Sequence, residues 1–476
     1  MFLLPAAVLL GVTLPHLGQG DFRGDAGWYG AIGLQAWRTR EFWTLYADPG
    51  QTYFNKPPLA FWIHGLFLYV LGPSVWAARL PSVLAALGCV VATVGIAREL
   101  AGRRAGLFSG IVLAMTLDFF RRTREISLDM WQTLFLLLGL WCVTRAVSMG
   151  RGWLLLSGLV VGLALLTKPL VALLFFPVVA AWLLWARGGK LAGEWLCAMV
   201  VSLAVAMPWH ISMWQMHGAE FTAQYFGAEI ARRATGELQA GHARPPPVWF
   251  YGKFLVESYW PWLIFVVLSI VSLGRGRAIA RDMRLPVLAL IWGGAWILLL
   301  TIFPDRRDRY ALVFLPALAW LAGMWLSHAP YRRKRGVLRA VQRGLGPVVI
   351  AAGLIIALLP VHLQRGRDRH WQELFAWVRE NTAPGREPRV WQGGIDASIG
   401  ARFFLEFGEW PQPTRNRRGE RVASPHRKAM ILYHHRGGLA PGEAERVLFT
   451  STNRHLLVSC LEGDAWEPRP THDPGE

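Results

Sequence analysis

The chain has 476 residues, 53% hydrophobic and only 17% charged, with a mean hydropathy of +0.31, which excludes a soluble protein of ordinary composition. Its net charge of +19 comes from short Lys/Arg clusters between apolar runs. That is the pattern of basic membrane loops, not of a nucleic-acid groove, so nucleic acid is excluded as a partner.

In chain order, apolar runs near twenty residues predict about eleven transmembrane helices, at residues 2–15, 76–97, 105–119, 130–147, 153–167, 169–186, 194–214, 255–274, 285–303, 310–328 and 346–363. The first is short and lacks the charged flank of a signal peptide, and reads as a minimal or clipped helix. With the N-terminus inside, every inside connection is basic, from Arg98, Arg103 and Arg104 to Arg332 and Arg333. The outside then receives residues 16–75, 215–254 and a tail. Residues 1–363 form the membrane domain. Residues 364–476 read as a small external α/β domain, with a helix at 368–381 and strands at 388–391, 429–433 and 455–460. The cysteines Cys89, Cys142, Cys197 and Cys460 are too far apart for a CxxC metal or redox motif.

Three basic clusters break the positive-inside pattern by falling outside: Arg121, Arg122 and Arg124; Arg232 and Arg233; Arg306, Arg307 and Arg309. Planar guanidinium donors match phosphate oxygens, so the clusters point to a phosphate-bearing lipid. Pairing with Glu125, Asp305 and Asp308, or with lipid headgroups, is the structural alternative. Lys56 and Lys168 each precede a proline at the outer end of an apolar segment, where a buried cation must meet an anion. Asp25 and Asp129 lie at the same level, as helix N-caps or as functional carboxylates. Carboxylates beside cations suit transfer from a phosphate leaving group to a hydroxyl, one acid orienting the acceptor while cations hold the departing phosphate.

The order of these features resembles the GT-C superfamily, within it the bacterial relatives of protein O-mannosyltransferases and of the lipid A aminoarabinose transferase. The resemblance is carried by Asp25 with Tyr29, by Tyr53-Phe54-Asn55-Lys56-Pro57-Pro58 as a YxEKPP-like element, and by Arg79-Leu80-Pro81-Ser82. It continues through Leu128-Asp129, Leu166-Thr167-Lys168, Pro208-Trp209, and Arg309-Tyr310 through Pro316, covering roughly residues 20–325. It implies a helical GT-C membrane fold in a bacterial inner membrane, with the site and C-terminal domain on the periplasmic side. It also implies an inverting sugar transfer from a polyprenyl-phosphate donor to a lipid, glycan or protein acceptor. On these positions Asp25 is the catalytic carboxylate, Asp129 supports it, Lys56 binds phosphate, and Tyr29 and Tyr53 line the donor site, with Arg121, Arg122, Arg124, Lys168, Arg309 and Tyr310 as further substrate ligands. No cofactor is required.

Three departures matter. Asn55 stands where the aminoarabinose branch has Glu, and Glu229 where it has His, two positions that there resemble a metal site; Asn is a poor zinc ligand, which leaves Glu229 a weak metal candidate. Trp28 replaces an Arg of that branch, which shifts phosphate binding toward Arg121 to Arg124 and away from aminoarabinose as the sugar. A flippase or transporter of an anionic lipid is the competing class, and it requires ionisable residues near mid-span that this chain lacks. His210, His217 and His242 read as interface histidines, and most of the 25 tryptophans as aromatic belts.

Overall fold

The computed structural model describes residues 1–18, 25–48, 51–231, 248–275, 282–328, 373–380 and 404–405, with the backbone of five strands at 390–392, 412–413, 430–434, 445–450 and 456–461. Helix α1 (Leu3–Thr13) is followed by α2 (Ala26–Thr39), a hairpin of β1 (Tyr46–Asp48) and β2 (Gln51–Thr52), and α3 (Leu59–Leu71). Next come α4 (Val75–Ala101), α5 (Arg103–Ala114), α6 (Leu117–Thr123), α7 (Leu128–Met149), α8 (Gly152–Leu165), α9 (Pro169–Arg187) and α10 (Ala192–Thr222). A π-helical stretch at Ala223–Ala231 leads on to α11 (Phe250–Ser258), α12 (Trp262–Gly274), α13 (Arg284–Ile302), a 3-10 turn at Asp308–Val313, and α14 (Leu315–His328). The strands β3 (Val390–Gln392), β4 (Gln412–Pro413), β5 (Met430–His434), β6 (Glu445–Thr450) and β7 (Leu456–Leu461) form a sheet ordered β4-β3-β5-β7-β6. Its β4-β3-β5 half is parallel and its β5-β7-β6 half antiparallel.

Each predicted apolar run through 310–328 lies on a helix, and the run at 346–363 lies outside the described residues. Among the described residues five helices are long and apolar enough to cross a membrane, or six if α11 and α12, bent by 113°, make one broken span. Four others, including α3 and α8, are apolar but only 10–17 residues long. At about 1.5 Å per residue such helices fall short of the roughly 30 Å hydrocarbon core. The sequence reading left α3 within the external segment 16–75.

Burial separates lipid-facing from packed surfaces. On α10, Leu196, Val200, Leu203, Met207, Ile211 and Trp214 are all exposed, at steps of three and four that draw one stripe along the helix. An apolar stripe that faces no protein suits lipid. The packed side is drawn tight by small residues: a Cβ on Gly65 would lie 2.1 Å from the Gly33 carbonyl oxygen, so α2 and α3 touch backbone to backbone. That contact fixes the helix that Asp25 opens.

Two motifs work as fasteners. In the Arg79-Leu80-Pro81-Ser82 element, buried Arg79 donates to the Leu17 carbonyl at 2.9 Å, and the Ser82 hydroxyl accepts from Ser127 N–H at 3.0 Å. Trp209 of the Pro-Trp pair donates to the Trp43 carbonyl at 3.0 Å. Together they hold the segment carrying Asp25 and Lys56 against the helix ends carrying Asp129 and Lys168.

Candidate active site

Asp25 immediately precedes α2, but its side chain does not cap the helix. Instead its Oδ2 accepts from the Tyr29 hydroxyl at 3.1 Å and from both terminal nitrogens of Arg309 at 3.3 Å. Asp129 is likewise released from capping, because the Ser127 hydroxyl caps α7 by accepting from Met130 N–H at 3.2 Å. Lys168 Nζ donates to Asp129 Oδ1 at 2.5 Å, and Arg309 Nε lies 3.9 Å from Asp129 Oδ2. Arg309, reached 284 residues along the chain from Asp25, therefore bridges the two carboxylates. Lys168 also stands 5.3 Å from the centre of the Tyr310 ring, whose hydroxyl donates to Asp305 at 3.1 Å.

The electrostatics follow from this pairing. Burial alone would raise Asp25, but Arg309 and the Tyr29 hydroxyl outweigh it and hold the carboxyl below its ordinary value. Burial raises the Tyr29 phenol well above its usual value, so it remains a proton donor to Asp25. At Lys168 burial dominates and pushes the ammonium down to about 8, with Asp129 offsetting part of the loss.

Two cavities meet at this network. One, of about 120 Å³, is mostly apolar, with Leu170, Leu174, Trp296 and Leu300 in its wall and Lys56, Lys168, Glu229 and Tyr310 at its polar end. The other, of about 320 Å³, is polar and lined by Asp25, Tyr29, Asp118, Arg121, Arg122, Glu125, Asp129, Asp308 and Arg309. Asp129 faces the polar cavity and its partner Lys168 the apolar one. The adjacent residues Arg309 and Tyr310 divide in the same way.

Asp25, Tyr29, Asp129, Lys168, Arg309 and Tyr310 thus form one connected cluster, and Lys56 shares the apolar cavity with Lys168. The cluster at Arg121, Arg122 and Arg124 divides. Arg121 and Arg122 line the polar cavity, and Arg122 is ringed by Glu125 at 2.9 Å, Asp118 at 3.7 Å and Asp308 at 4.0 Å. Arg124 is buried elsewhere, donating to the His16 carbonyl at 3.0 Å and lying over the Phe120 ring. Tyr53 is buried with its ring edge-on to Phe61. Arg306 donates to the Thr301 carbonyl, and Arg307 pairs with Asp305 at 2.9 Å. Arg232, Arg233 and His242 lie outside the described residues. Sequence reasoning missed Asp118, although a carboxylate inside an apolar run four residues before an Arg was a usable signal. It also missed Tyr225, which hydrogen-bonds His210 at 2.8 Å and lines the apolar cavity.

The residues present do not fit a metal. The Asn55 amide oxygen accepts from Gln224 at 2.9 Å, and Glu229 is bound to Lys56 at 2.8 Å. Among the described residues no three His, Cys, Asp or Glu side chains converge on a point, and the Lys56 ammonium beside Glu229 opposes a dication.

Apolar helices whose ends converge on buried charges define a multipass membrane protein, and its fold is that of ArnT. ArnT of Cupriavidus metallidurans superimposes with a TM-score of 0.76 over 96% of this chain and 97% of that one at 19% identity. The same protein bound to undecaprenyl phosphate gives 0.73 over the same shares at 20% identity. Residues 55–214 match the dolichyl-phosphate-mannose-protein mannosyltransferase family. The chain is also 29% identical over 371 residues to the undecaprenyl phosphate-alpha-4-amino-4-deoxy-L-arabinose arabinosyl transferase of Pseudomonas aeruginosa strain UCBPP-PA14, an alignment covering 73% of this chain. It spans 65% of the length of that relative. The chain is thus similar in sequence to the lipid A aminoarabinose transferases and, over residues 55–214, to the mannosyltransferases, and it shares the fold of ArnT.

Proposed function

We propose that the chain is a glycosyltransferase that moves a sugar from a polyprenyl-phosphate donor to an acceptor hydroxyl, with inversion, on the periplasmic side of a bacterial inner membrane. The observation carrying this reading is the meeting of an apolar and a polar cavity at Asp25, Asp129 and Arg309. The apolar groove suits a polyprenyl chain, with Lys56 and Lys168 at the end where its phosphate stops. The polar cavity suits the acceptor. A transporter needs a through-path for one ligand, whereas two chemically unlike cavities joined at a carboxylate suit two substrates.

In this reading the acceptor oxygen attacks the anomeric carbon as the bond from that carbon to the phosphate oxygen breaks. The electron pair leaves with the phosphate, where Lys56 and Lys168 stabilise the charge. Asp25 is ionised, orients the acceptor hydroxyl and takes up its proton as the new bond forms. Arg309 and Tyr29 fix the carboxylate by occupying the lone pairs turned away from the acceptor. A single displacement inverts the anomeric centre. In the same reading residues 1–363 are the transferase domain and residues 364–476 an external α/β domain.

The test is mass spectrometry of lipids, glycans and envelope proteins from cells with and without the gene. Loss of one sugar from one acceptor class is the expected result, and it names donor and acceptor together. Unchanged glycosylation, with an anionic lipid trapped on one membrane face, would contradict the reading in favour of transport.

A further inference from the structure

The polar end of the apolar cavity already holds an anion. Glu229 Oε1 lies 2.8 Å from Lys56 Nζ, and the two side chains are only 13% and 7% exposed. Lys168, the other ammonium of that cavity, is bound to Asp129. Both cations that a phosphate would use are therefore neutralised before it arrives.

One of the two pairs must open. Asp129 is shared between Lys168 and Arg309 and stands in the first turn of α7, where the helix N-terminus favours a negative charge. Opening that pair would strip the carboxylate cluster of a cation. Glu229 lies instead in the π-helical stretch Ala223–Ala231, which follows the break in α10 at Gly218. Such stretches are rare and recur at functional sites. The same stretch is pinned to Lys56's neighbour by Gln224 on Asn55 at 2.9 Å, so Glu229 can turn away while the backbone stays docked.

We propose that Glu229 is the resident counter-ion of the donor-phosphate site: it holds the Lys56 ammonium where the polyprenyl phosphate binds, the phosphate displaces it, and no divalent cation takes part. This rests on the donor reading given above. The exchange balances in charge, one carboxylate giving way to one phosphodiester charge. After transfer the phosphate is a monoester of nearly two charges, and it would hold the two ammoniums more tightly than the donor did. A tethered carboxylate returning to Lys56 then speeds release of the spent lipid.

The experiment uses the full chain in detergent micelles, treated with EDTA, with undecaprenyl phosphate as the probe and native mass spectrometry as the readout. Wild type binds in EDTA, and added zinc leaves its affinity unchanged. E229Q keeps the side-chain shape but loses the charge, and it binds roughly tenfold tighter because the competitor is gone. E229D, one methylene too short for a 2.8 Å contact, shifts in the same direction and covers the case in which E229Q does not fold. K56M binds at least about tenfold more weakly. Equal or weaker binding by the Glu229 variants, or binding restored only by one zinc per chain, overturns the counter-ion role while leaving the donor reading intact. Failure of wild type to bind with or without zinc overturns both.

Discussion

The two cavities differ in what their charges are for. In the apolar one, two ammoniums face a wall of Leu and Trp, Lys56 paired with Glu229 and Lys168 with Asp129. In the polar one, guanidiniums and carboxylates interleave, and Arg122 alone touches three acids. Sparse ammoniums in an apolar slot bind one anionic head on a long tail. A mesh of bidentate donors and acceptors orients a polyhydroxyl group without a large net charge. Asp25 stands on the polar side of the boundary, while Lys56 and Lys168, the cations proposed to hold the leaving group, stand on the other. The difference teaches that the line of Asp129–Lys168 and Arg309–Tyr310 divides two chemically unlike cavities, and under the proposed function it is the reaction plane.

The largest test of that division is Asp25→Asn. It removes the base while leaving an isostere for Tyr29 and Arg309, and transfer falls by about 10²–10⁴-fold in a membrane assay with native donor. Retained transfer breaks the assignment. Lys168→Met acts on the other side of the plane and leaves Asp129 partly buried with Arg309 as its remaining cation. It loses phosphate affinity and destabilises the chain by up to about 3–5 kcal/mol, read as an earlier thermal unfolding transition in detergent. Unchanged unfolding would mean that the pair is solvated.

A pH titration sharpens the comparison further. Lys168 has its pKa lowered to about 8, so its ammonium is present below that pH and lost above it. Undecaprenyl phosphate affinity therefore declines as pH rises through about 8. Asp25 is held below its ordinary value, so it stays ionised across neutral pH, and no acid limb from it enters above the usual carboxylate range near 4. The smallest effect belongs to Arg121→Ala, on the exposed rim of the polar cavity. It raises the acceptor KM a few-fold and leaves undecaprenyl phosphate binding unchanged.

Much of the site was legible because ionisable residues at the ends of apolar runs are costly and therefore few. Asp25, Lys56, Asp129, Lys168 and Arg309 stood out for that reason, and topology put them on one side before any distance was known. The fate of neighbours at the C-terminal end of α6 was not legible. Arg121, Arg122 and Arg124 differ by about 100° of rotation per residue, and only packing decides that Arg122 enters the polar cavity while Arg124 turns to the His16 carbonyl. Pairings such as Lys56 with Glu229 and Asn55 with Gln224 join segments more than 160 residues apart, and no local pattern encodes them. Helix α3 was not legible as a helix because it lies inside the segment read as the external loop 16–75.

Whether binding and chemistry lie on opposite sides of Asp129–Lys168 is tested most directly by the dissociation constant of undecaprenyl phosphate in Asp25→Asn beside that in Lys56→Met. The division predicts that Asp25→Asn stays within about twofold of wild type while Lys56→Met loses about tenfold or more. An equal loss in both would contradict it, because the carboxylate would then belong to the phosphate site.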